Sequence, residues 1–85
     1  MPLELRRLSP SEATSHANAA ALAYARDNGL EGALLSVAPD SFDTETRGKI
    51  PIHWALVFEN VRRGKVFDGP VLFRLNLETG HVMPV

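Results

Sequence analysis

HWALVFEN at 53–60 and VLFRLNLETGHV at 71–82 decide the fold of this chain. In the first, Trp54, Leu56 and Phe58 fall on one side with Ile52, and His53, Ala55, Val57 and Glu59 on the other. In the second, Val71, Phe73, Leu75 and Leu77 oppose Leu72, Arg74, Asn76 and Glu78. A period of two is that of a strand with one face buried. Arg63-Gly64, Asp68-Gly69 and Thr79-Gly80 punctuate these runs as turns. The pattern predicts strands at about 51–60 and 70–77 and a short closing strand at 81–84.

Upstream, Ser9-Pro10-Ser11-Glu12 is a helix start. Ser9 can cap, Pro10 suits the first helical position, and Glu12 stands where a capping-box carboxylate reaches back. Asn28-Gly29 supplies the stop, so a helix is expected over about 10–28. Its apolar stripe runs through Ala13, Ala17, Ala20, Ala21 and Tyr24, widened by Leu22 and Ala25. Alanine gives little area to bury, so the sheet beneath must supply most of the apolar surface. LEGALLSVA then reads as a strand at about 32–38, with Ala33, Leu35 and Val37 turned inward. The polar stretch 39–50 reads as a mobile loop, ordered only if Phe42 docks.

A helix followed by consecutive hairpins gives an α+β domain over 1–85: one N-terminal helix packed on one face of a three- to four-stranded antiparallel meander. Eighty-five residues allow one core. Nine basic against ten acidic residues leave a net charge of −1, with no long-range field to attract nucleic acid or an anionic membrane. There is no cysteine, which excludes disulfides, thiol catalysis and thiolate metal sites. MPLELRRLSP lacks the apolar core of a signal peptide and no run reaches the ~20 apolar residues of a membrane span, so a cytoplasmic protein is expected.

The chemistry-bearing residues do not assemble into a motif. His16, His53 and His81 lack the spacing of a metal site such as HxxxH, so neither metal nor cofactor is expected. Ser36, His53 and Glu59 have no nucleophile elbow or oxyanion loop beside them, so no enzyme is expected. Asp40, Asp43 and Glu45 read as a solubilising cluster in a solvated loop. Arg62, Arg63 and Lys65 beside Phe67, with Arg6 and Arg7 available to join them, make a small basic tip, and a basic hairpin turn is ordinarily a solvated one.

One helix covers one face of the sheet. The other face would show Leu34, Ala38, His53, Ala55, Val57 and Leu72 among Ser36, Glu59, Arg74, Asn76 and Glu78, more apolar than an uncovered surface needs to be. Either a partner covers it, or the Phe42 loop or the N-terminal MPLELRRL folds over it. The first reading makes His53, Val57, Leu72 and Arg74 the partner-binding residues, the partner being another protein or a second copy of the chain in a homodimer.

WALVFE at 54–59 and GPVLFRLNLETGHV at 69–82 resemble the small helix-then-meander proteins of the immunity protein 35 (YrhB-like) type. The ending apolar-x-apolar-x-x-x-Thr-Gly-x-Val is also similar to the closing hairpin of PepSY-type domains. The resemblance covers roughly 12–83 and implies binding without catalysis, as in an immunity-type inhibitor of a toxin or hydrolase. It carries over no catalytic residue. The polar insertion at 39–49 and the missing secretion signal depart from the PepSY pattern.

Overall fold

The computed structural model describes residues 3–85. A 3-10 turn, Leu5–Arg7, leads into helix α1, Pro10–Asp27. The strands follow: β1 Leu34–Pro39, β2 Thr46–Arg47, β3 Ile50–Pro51, β4 His53–Phe58, β5 Val61–Arg62, β6 Lys65–Val66, β7 Val71–Asn76 and β8 Val82–Pro84. Four of them form one antiparallel sheet in the order β1-β4-β7-β8. The pairs β2-β3 and β5-β6 are small hairpins at the two ends of β4. The chain is therefore an α+β domain, one helix on a four-stranded meander.

The helix ends are set by local chemistry. The Ser9 amide donates to Glu12 Oε1 at 2.9 Å and the Glu12 amide to Ser9 Oγ at 3.1 Å, a closed capping box. At the other end Gly29 has φ of 65°, and the Leu30 amide donates back to Ala25 O at 2.9 Å, the Schellman closure that a glycine permits.

Ala13, Ala17 and Ala21 bring α1 onto the sheet and are buried with Trp54, Leu56, Phe58, Phe73 and Leu75. Small side chains let the helix approach closely, and the bulk comes from the strands, as alanine's small area requires. Tyr24 lies against Phe73 with ring centroids 5.1 Å apart, and Phe73 against Phe58 edge-on at 5.8 Å. The Trp54 indole N–H donates to Pro51 O at 2.9 Å, which leaves its buried polar atom satisfied. Leu22 is exposed, so the helix stripe is narrower than expected.

Strand β1 corrects the expected inward set Ala33, Leu35 and Val37. Leu34 pairs with Phe58 and Ser36 with Val57, so a bulge inserts Leu35 between them. Beyond it Val37 pairs with the core-facing Leu56. Leu34 and Val37 pack on the core, while Leu35 and Ala33 are exposed. One extra residue exchanges the faces of the strand on its N-terminal side.

The stretch 39–50, expected as a loop, carries short strands at its C-terminal end. It contains β2 and β3, and Arg47 grips Glu78 through Nε at 2.8 Å and Nη2 at 3.1 Å, tying the hairpin to the β7-β8 turn. Phe42 does not dock; it is 93% exposed. The 51–60 strand is interrupted as well: Pro51 belongs to the hairpin, Ile52 is buried, and β4 starts at His53.

Candidate functional site: the open face of the sheet

Strand alternation turns His53, Ala55 and Val57 of β4 away from the helix, and in β7 it does the same for Leu72, Arg74 and Asn76. The pairs His53–Asn76, Ala55–Arg74 and Val57–Leu72 stand side by side across the two strands. The structure thus brings His53, Val57, Leu72 and Arg74 onto one face. Ser36 and Ala38 extend it across β1, and Met83, opposite Arg74, across β8.

Of the two expected intramolecular covers, the 40–45 segment lies on one end of this face through Asp40 against Arg74 and Asp43 against His53, with the Phe42 ring itself left in solvent, and the described part of the N-terminal segment lies elsewhere. The 3-10 turn puts Leu5 into the helix-side core, with Leu3 and Leu8 against it. Leu72 is 45%, Met83 48% and Val85 79% exposed. A groove of about 180 Å³ runs between Pro39, Phe42, Ala55, Leu72, Arg74 and Val85. It falls short of the ~300–1,000 Å³ that encloses a small-molecule ligand, and is of a size to take a protruding side chain.

The polar anchor of the groove is Asp40, which is buried, contrary to its expected place in a solvated carboxylate cluster. Its Oδ1 accepts the Phe42 amide at 2.8 Å and the Asp43 amide at 3.4 Å, and its Oδ2 accepts Arg74 Nε at 2.8 Å. Backbone donation from Phe42, joined by the Asp43 amide and the Arg74 guanidinium, holds the carboxyl below its ordinary pKa. Among the described residues the Arg74 side chain donates only through Nε, which leaves its two terminal amino groups without a protein acceptor.

The same sign holds for Glu78, held low by Arg47, and for Glu12, held low by Ser9. A carboxyl with a lower pKa folded than unfolded adds stability above the unfolded value, about 3.9–4.3, and loses it as pH falls through the folded value. The thermal midpoint should therefore be level from about pH 7 to 5 and drop below about pH 4. Asp40→Asn should flatten that drop in melts followed by circular dichroism; an unchanged acid limb would remove Asp40 from this role.

The other sequence candidates are not assembled. Ser36 pairs with Val57, four residues along β4 from His53, or about 13 Å at ~3.3 Å per residue, so Ser36, His53 and Glu59 do not converge. In the basic tip the Arg62 guanidinium carbon stands 5.9 Å from the Phe67 ring centroid, a contact within the same hairpin. The Arg63 and Gly64 amides of the same turn donate to the Glu31 carboxylate at 2.7 and 3.2 Å. Arg6 lies against Gly48 at the opposite end of β4, so the two basic groups do not merge.

The fold and this face define the class of protein: a helix-on-meander α+β domain whose second sheet face is only partly covered, by the 40–45 segment at one end. Comparison with protein-family models, with curated proteins and with solved structures gives no match. No helix among the described residues is long and apolar enough to cross a membrane.

Proposed function

We propose that the domain is a non-catalytic protein-binding module that engages its partner through the open face, in the manner of an immunity-type inhibitor of a toxin or hydrolase. The observation behind this reading is the open face itself. Leu72 and Val85 stand exposed around a side-chain-sized groove whose rim carries the Arg74–Asp40 pair, and Met83 is exposed beside Arg74. Exposed apolar groups around a fixed charged pair are the makeup of a binding patch, in which a few buried anchors supply most of the affinity. The cytoplasm is the compartment we assign to it.

Leu72→Asp places a charge at the centre of this patch without touching the core. It should weaken partner binding at least tenfold, about 1.4 kcal/mol, while leaving the thermal midpoint within about 2–3 °C. Ala19→Asp, on the exposed back of α1, is the matched control and should leave binding unchanged. Equal affinity in Leu72→Asp and wild type would place the binding surface elsewhere.

A second reading is favoured by β1, a six-residue strand at the edge of the sheet that, among the described residues, pairs with β4 alone. Two copies could bury this face against each other or pair along that edge in a homodimer. Light scattering at micromolar concentration tests it: a stable dimer is the expected result, and a strict monomer would contradict the homodimer reading.

A further inference from the structure

We infer that His53, Asp43 and Glu45 form a binding site for a divalent transition-metal ion, zinc in preference, that fastens the 40–45 segment to β4. The ligand atoms offered by the three side chains all lie within 4.8 Å of one another. Within the cluster, His53 Nδ1 is 3.2 Å from Asp43 Oδ2. That separation matches the edge of a tetrahedron of ligands around zinc, about 3.3 Å for bonds of about 2.0–2.1 Å.

The imidazole supplies an observation independent of the carboxylates. His53 Nδ1 is buried and makes no hydrogen bond: Asp43 is within ion-pair distance but misaligned for one. A buried nitrogen without a partner is costly. A metal ion bound between it and the carboxylates removes that penalty.

The backbone holds the three residues for this role. The His53 carbonyl accepts the Asp40 amide at 2.9 Å, and the Glu45 carbonyl accepts the Ile52 amide at 3.0 Å, next to His53. Asp43 Oδ1 accepts the Glu45 amide at 3.3 Å, which leaves Oδ2 aimed at the imidazole. One nitrogen and two carboxylate oxygens, without a thiolate, suit zinc and its first-row neighbours better than calcium or magnesium, which favour all-oxygen shells. Glu45 is exposed, so water completes the coordination. The sequence offers no motif here, because ligands at 43, 45 and 53 come from a loop and a strand and meet only through the fold.

Calorimetric titration of zinc chloride into chelator-treated protein tests the site. One ion should bind per chain and raise the thermal midpoint, and calcium chloride should do neither. His53→Gln and Asp43→Asn should each weaken zinc binding at least tenfold, and Asp68→Asn should leave it unchanged. Glu45→Gln, an exposed loop change that leaves folding intact, should weaken it as well. No binding at about 1 mM zinc, equal binding by calcium, or full affinity in folded Glu45→Gln and Asp43→Asn would each overturn the assignment. The readout needs no protein partner, so its failure is distinct from failure of the binding-module reading.

Discussion

Phe58→Ala should lose about 3–5 kcal/mol of folding stability. Phe58 ends β4 only 1% exposed, between Leu34 of β1 and Val71 of β7, with the Phe73 ring edge-on to it at 80°. Removing its ring leaves a cavity that three strands and the helix must either keep or collapse around, and it also removes an aromatic pair worth about 0.5–1.5 kcal/mol beyond area. A domain of this length has about 4–13 kcal/mol to lose, so the variant approaches the unfolding threshold. Urea denaturation should show a lower midpoint with an unchanged slope. A midpoint equal to wild type would mean that the aromatic chain Tyr24–Phe73–Phe58 does not carry the core.

Gly32→Ala should cost about 3 kcal/mol or more, the range of mutations that break a specific structural requirement. A Cβ at Gly32 would stand 1.7 Å from the Glu59 carbonyl oxygen and 2.6 Å from its carbon. Both are backbone atoms, so no rotamer relieves the clash. The entry of β1 would have to withdraw from the end of β4, where the Glu59 amide donates to Ala33 O at 2.8 Å. Gly64→Ala is the informative comparison: it has positive φ but nothing within 4 Å of the added carbon, so it should cost only about 1–2 kcal/mol. If the two substitutions cost the same in parallel urea titrations, close packing of β1 on β4 at Gly32 is not what fixes the strand.

The sequence reveals those parts of the fold whose causes are local. The Ser9–Glu12 box and the Gly29 stop lie within four residues of the groups they satisfy, so α1 can be read directly. Strict alternation in β4 and β7 likewise places His53, Val57, Leu72 and Arg74 on one face before any pairing is known. The bulge at Leu35 could not be read this way, because it exists only in the register of Ser36 against Val57. Asp40 escaped for the same reason: in sequence it is one acid among several in a polar loop, and its partner Arg74 is 34 residues away. Leu5 looks like part of a mixed N-terminal segment, yet is completely buried. Phe42 shows the converse, since an apolar residue in a polar loop suggests docking, whereas hydrogen bonds to Asp40 already order the segment and leave the ring in solvent.

The binding-module proposal is tested most directly by purifying tagged wild-type chain and its Leu72→Asp variant from the native cells, then titrating the recovered partner against both. A stoichiometric partner that binds wild type and loses at least tenfold affinity for Leu72→Asp, but not for Ala19→Asp, is the expected result. A partner that binds all three chains equally, or recovery of nothing but the chain's own copy, would contradict it.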